Sequence, residues 1–242
     1  MRKRRERIAG NVHDAMNARA AMSNKLPWPG GRASWPYKSG MVIVAHPDDE
    51  TLWAGGTILM HPETKWTIVV LCRKNDPDRS VRFNRALVLL RAQGRIGDLD
   101  DGPQQTPLSD SEVQETVLSL LSPGSVDLIV THSTRGEYTR HRRHEETGRA
   151  VHSLWRTGRI AGRELWMFAY EDHEKRHRPE AITAADRVVK LPANVWKSKY
   201  DILTKTYGFG PSSFEAQTTP VVEAFWCFGS RKGTRPAGRR GA

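Results

Sequence analysis

From Met41 onward the chain alternates short, uninterrupted apolar runs with longer stretches in which apolar residues recur every three or four positions. The short runs read as buried strands and the longer stretches as amphipathic helices; their alternation is the signature of βαβ units around a mostly parallel sheet. Strands are expected over Met41 to Ala45, Trp66 to Cys72, Val126 to Thr131 and Leu165 to Ala169. Helices are expected over Arg79 to Ala92, over Asp110 to Leu121 with Ser109 or Ser111 as cap, from His141 or His144 to Trp155, and over Ala193 to Tyr207. The run FEAQTTPVVEAFWCF then supplies an edge or C-terminal packing segment. Ahead of this pattern, residues 1–40 read as a basic extension with a short helix over Arg7 to Ala21 and a turn-rich PWPGGRASWP stretch. Residues 41–230 form the expected catalytic domain, and 231–242 a basic, disordered tail.

Composition narrows the classes. At 242 residues and 38% hydrophobic content the chain can bury one sizeable α/β core, and no stretch reaches the ~18 apolar residues of a membrane helix. The basic start has no apolar run behind it to serve as a signal peptide, and two cysteines, Cys72 and Cys227, build neither a disulfide framework nor a CxxC pair. A soluble, cytoplasmic protein is expected. The formal charge of +11 suggests nucleic acid until it is located: residues 1–7 carry +4 and residues 231–242 carry +5, which leaves the body at +2. Weak polyanion contact through the tails is the expectation, through counterion release.

Candidate chemistry concentrates in MVIVAHPDDETLWAGGT. An apolar strand runs directly into His46, Pro47, Asp48, Asp49 and Glu50, followed by a small-residue turn at Gly55 and Gly56. Loops leaving the carboxyl ends of parallel strands line the ligand crevice, and this many ionisable groups there require a cation or solvent. His46 and Asp49, three apart around Pro47, can converge on one ion; nitrogen and oxygen ligands suit Zn²⁺, or less selectively another divalent transition metal. Asp48 projects from a different side of the turn and is left to act on water. A third ligand is sought at another strand end, where VDLIVTHSTRGEYTRHRRHEETGRAV places His141 and His144 on one helix face. A site of His46, Asp49 and His144 leaves a position open, the arrangement of catalytic zinc. His132 is read as a packed polar residue.

AHPDDE followed by GGT, then GEY and a histidine pair before an AV-containing helix, resembles the LmbE/PIG-L family of metal-dependent N-deacetylases over roughly Met41 to Tyr170. The resemblance implies a Rossmann-like three-layer α/β fold and hydrolysis of an N-acetyl group on an amino-sugar-like substrate, giving acetate and a free amine. It implies metal ligands at His46, Asp49 and His144, a general base at Asp48 and an oxyanion-stabilising histidine at His141. Arg82 and Asp101 take substrate-binding roles by the same similarity. The chain departs from the family at HRRH, where HPDH is usual, so an aspartate able to orient a histidine is Arg143 here; Glu145 or Glu146 are the candidate substitutes. Tyr138 stands one residue further from His141 than the family spacing, and Arg85 replaces a common Glu. The competing readings are a ligand-binding member of the fold without turnover and a Rossmann-like nucleotide binder, the latter opposed by the lack of GxGxxG.

Overall fold

A computed structural model describes residues 35–229; the expected helix over Arg7 to Ala21 and the basic tail lie outside the described residues. The described chain runs β1 (Ser39–Val44), α1 (Asp49–Met60), β2 (Lys65–Cys72), α2 (Arg79–Leu90), β3 (Gln93–Leu99), α3 (Asp110–Leu120), β4 (Ser125–Thr131), α4 (Arg142–Arg156) and β5 (Ala161–Phe168). A two-residue hairpin pair follows, β6 (Tyr170–Glu171) with β7 (Glu180–Ala181), then β8 (Arg187–Lys190), α5 (Ala193–Asp201), a π-helical turn over Ile202–Thr206, α6 (Phe214–Thr218) and β9 (Val222–Gly229).

Seven strands form one sheet in the order β3-β2-β1-β4-β5-β9-β8. The first five are parallel, while β9 pairs antiparallel with both β5 and β8. Strand alternation divides the core. Val42, Val44, Ile68, Val70, Leu128 and Val130 face a cluster containing Leu52 and Trp53 of α1 and Phe83 and Ala86 of α2. Ile43, Val69, Leu71, Ile129 and Leu165 face Val113 and Val117 of α3 and Ala150, Val151 and Leu154 of α4. Helices thus cover both faces of a mostly parallel sheet, the three-layer α/β architecture expected. Trp35 and Tyr37, counted with the extension from sequence, belong to the packed body: Tyr37 is buried and Trp35 stacks on His61.

Two expectations need correction. Gly55 and Gly56 make no turn; both lie inside α1. A Cβ on Gly56 would fall 2.4 Å from Leu191 Cδ2 and 2.9 Å from Glu223 Oε1, so the glycine permits a close approach rather than a bend. There the Gly56 and Thr57 N–H groups donate to the Glu223 carboxylate, which also accepts from Lys199 Nζ at 2.8 Å. Of the two roles expected for the FEAQTTPVVEAFWCF segment, edge or C-terminal packing, the edge is excluded: its strand, β9, lies inside the sheet, and the short β8 takes the edge. The chain order reverses between β1 and β4, which opens a crevice at their carboxyl ends.

Candidate metal centre

β1 ends at Val44 and delivers His46 to that crevice; α1 begins three residues later with Asp49 as its first residue. β4 delivers His132, and α4 starts with His141 at its cap and His144 in its first turn. The resulting cleft, of about 330 Å³, is lined by His46, Asp48, Asp49, Arg79, Asp101, Tyr138, His141 and His144 among others. It adjoins a larger cavity and shares Arg73, Asp76 and Asp101 with it.

Three ligand atoms form a nearly equilateral triangle in this cleft. His46 Nδ1 lies 3.1 Å from Asp49 Oδ2 and 3.2 Å from His144 Nε2, and His144 Nε2 lies 3.3 Å from Asp49 Oδ2. Tetrahedral ligands at zinc distances of ~2.0–2.1 Å are separated by about 3.3 Å, so the triangle has the edge lengths of one face of a tetrahedron. The donor set fits a divalent metal. His141 also approaches, its ring centroid 4.7 Å from that of His46, and its nitrogen lies within ligating range of those of His46 and His144.

Both imidazoles have their far nitrogen on a carboxylate. His46 Nε2 is 3.3 Å from Asp101 Oδ1, and His144 Nδ1 is 2.8 Å from Glu137 Oε2. With those nitrogens donating, His46 Nδ1 and His144 Nε2 are the free lone pairs, the tautomers a metal requires. Glu137 is fully buried and also accepts from Ser133 N–H at 2.9 Å and from His132 Nδ1 at 2.8 Å. His132 Nε2 in turn accepts the Ala45 N–H at 3.0 Å, which fixes its tautomer and pins it behind the first strand end. Burial works to raise the Glu137 carboxyl, but His132 and His144 outweigh it and hold it at about 2. Burial likewise opposes ionisation of Asp101, and His46, Gln105 and Arg73 overcome it and hold that group low.

Asp48 occupies a left-handed backbone conformation, φ 125°, held by its N–H donating to Glu50 Oε2 at 3.0 Å. Glu50 is buried and bonds the Tyr207 hydroxyl at 2.7 Å, so it braces the turn and does not ligate. The Asp48 carboxylate meets Arg79 Nη1 at 2.9 Å. Burial first, then the neighbouring Asp49 charge, push its pKa well above the usual carboxylate range, with Arg79 pulling the other way. His141 is pushed down to about 3 by burial and by His144 and His46.

Of the seven sequence-designated residues, the structure gathers His46, Asp48, Asp49, Asp101, His141 and His144 and leaves Arg82 out. Arg82 turns to the Tyr207 carbonyl and to Asp78, while Arg79, one helical turn earlier, reaches the cleft. Asp101 stands behind His46 with its side chain engaged by Arg73 and Gln105. The orienting carboxylate comes from Glu137, not Glu145 or Glu146; Glu146 pairs with Arg143. Glu137 was legible only as the E of GEY, seven residues before His144, with nothing in its spacing to mark the contact.

Residues 41–155 match the family model described as PIG-L, GlcNAc-PI de-N-acetylase. Over this segment the chain is similar to the LmbE-like deacetylases. An uncharacterised protein of Acanthamoeba polyphaga mimivirus, L374, is 22% identical over 192 residues, spanning 72% of this chain and 77% of the relative. Among solved structures, the N,N'-diacetylchitobiose deacetylase of Pyrococcus horikoshii superposes with a TM-score of 0.58 at 14% identity, covering 80% of this chain and 85% of that one. A zinc-inhibited form of teicoplanin deacetylase Orf2 superposes at 0.57 and 14%, covering 81% and 100%. At such identities the structural likeness establishes the fold, and the PIG-L match covers the segment that carries every ligand of the triangle.

Proposed function

We propose that the protein is a zinc-dependent N-deacetylase that hydrolyses the acetamide of an N-acetylated amino-sugar-like substrate. The observation that carries this reading is the triangle of His46 Nδ1, Asp49 Oδ2 and His144 Nε2, with both imidazoles backed by carboxylates in the metal-ready tautomer. A divalent metal held there supplies Lewis acidity toward the amide carbonyl and makes water a better nucleophile at neutral pH.

The chain's own residues supply the proton traffic. Asp48, in the cleft beside Asp49, accepts a proton from the attacking water and returns it to the leaving nitrogen, so that acetate and a free amine depart. Its raised pKa suits a group that must both take and give a proton. Arg79 fixes the carboxylate's direction through its 2.9 Å contact. His141, at the cap of α4 beside the triangle, donates a ring N–H to the developing oxyanion. Tyr138 and Phe214, 4.9 Å apart between ring centroids, offer an aromatic wall against which the apolar face of a sugar ring can rest. A cleft of this size suits one acetamido sugar, and the adjoining cavity leaves room for a further group on the leaving amine.

The competing view, a binding protein whose HRRH motif has lost turnover, is weakened because Glu137 supplies the carboxylate that Arg143 cannot. Acetate and amine release from N-acetylglucosamine and its glycosides, with metal content measured in parallel, tests the proposal. Asp48→Asn is expected to retain metal and lose roughly 10²–10⁴-fold in turnover. Full turnover in that variant removes the base assignment, and a metal-loaded wild type that releases no acetate from any acetylated sugar removes the function.

A further inference from the structure

Arg143, the residue that breaks the HPDH pattern, is fully buried. A guanidinium without solvent must have its N–H groups satisfied by protein. Its Nε donates to the Asp100 carbonyl, Nη2 to the Asp100 carboxylate at 2.9 Å and to the Thr106 carbonyl at 3.0 Å, and Nη1 to Glu146 Oε2. The other Glu146 oxygen accepts the Leu108 N–H at 3.1 Å. Two residues three apart on α4 therefore grip the segment from Asp100 to Leu108 at both ends. That segment has no regular secondary structure, and it carries Asp101, whose Oδ1 stands 3.3 Å from His46 Nε2. The other partners of Asp101 are Gln105, which belongs to the same segment, and the half-exposed Arg73.

We propose that Arg143 is a positioning residue for the metal ligand His46, acting through the Asp100–Leu108 segment and the Asp101 carboxylate. The helix turn that presents His144 thereby also sets the backing of the other imidazole, so the arginine has a role in the centre that no contact of its own with a ligand reveals. A merely structural arginine would hold the loop without altering affinity for the ion. This inference rests on the metal-centre reading above.

The test is the Zn²⁺ dissociation constant of the full chain, measured by competition with a chromophoric chelator on variants verified as folded by circular dichroism. Arg143→Lys keeps a charge for Glu146 but cannot span Asp100 and Thr106, and it is expected to weaken Zn²⁺ binding about 10-fold or more, the scale of a lost outer partner. Asp101→Asn is expected to weaken it roughly 10–100-fold, and the double variant no further than Asp101→Asn alone, because both act along one route. Asp100→Ala, at an exposed position, provides the variant that survives any folding failure of Arg143→Lys, with an expected loss of about 3-fold. Wild-type affinity in Arg143→Lys or, failing its folding, in Asp100→Ala overturns the inference, as does a double variant whose losses multiply. A wild-type chain with no measurable affinity for Zn²⁺ overturns the metal-centre reading itself.

Discussion

At the residue scale, Glu137 Oε2 receives two imidazole N–H groups at 2.8 Å, from His132 and from His144, in a space without solvent. Glu137→Gln keeps the shape but replaces one acceptor oxygen with a donor, so either the two imidazole N–H groups or the Ser133 N–H must face an NH2 group and the ring positions must shift. Metal affinity is expected to fall roughly 10–100-fold; equal Zn²⁺ dissociation constants for variant and wild type, read by chelator competition, would refute the role. The contrast with the sequence is instructive at this scale. His46, Asp48 and Asp49 were legible because four neighbouring residues supply the cluster, and His144 because a third ligand had to come from a later strand end. Glu137 and Arg79 were not, since their partners lie across tertiary contacts: periodicity places Arg79 and Arg82 on neighbouring faces of one helix and leaves open which meets the cleft. Asp101 was named for a substrate-binding role, whereas its contact with His46 spans 55 positions that no local pattern encodes.

At the element scale, α1 packs so closely on Leu191 and Glu223 that Gly56 is fixed by space. Gly56→Ala gains up to about 1 kcal/mol of helix propensity but forces overpacking that costs about 1–3 kcal/mol. A lower Tm is expected in thermal melts; a higher one would show that the contact yields. β1 is anchored at its start by Asp127, whose Oδ2 accepts the Lys38 N–H at 2.7 Å and the Ser39 N–H at 3.1 Å. The Lys38 bond, above all, holds the carboxyl below its ordinary value, against a smaller opposing effect of burial. Because the folded-state pKa is depressed, the contribution is complete above the unfolded value near ~3.9 and is lost as pH falls through the folded one. Asp127→Asn is expected to flatten the acid limb of stability, measured by denaturant melts between about pH 2 and 5; an unchanged limb would separate the residue from acid sensitivity. The contiguous apolar runs gave four strands within a few residues, whereas β3, QGRIGDL, is an edge strand with exposed, charged and glycine positions and carries no such signal.

At the scale of the whole molecule, positive charge concentrates at the two ends of the sequence. The two basic ends carry nine of the eleven formal charges, while the cleft is lined by carboxylates, imidazoles and two arginines. Removal of residues 1–34 and 230–242 is expected to leave acetate release within about two-fold and to reduce retention on heparin, with salt sensitivity falling as fewer counterions are released. Lost turnover in the trimmed chain would assign the ends to the catalytic body. The mostly parallel sheet with helices on both faces follows from strand and helix patterns that repeat along the chain. The antiparallel β9, inserted between β5 and β8, was beyond reach because an apolar run states burial but not direction.

Glu223 on β9 grips α1 at Gly56 and Thr57, the helix whose first residue is Asp49. A growing polypeptide therefore lacks the carboxylate that caps these two N–H groups until nearly all of the described sequence has been synthesised.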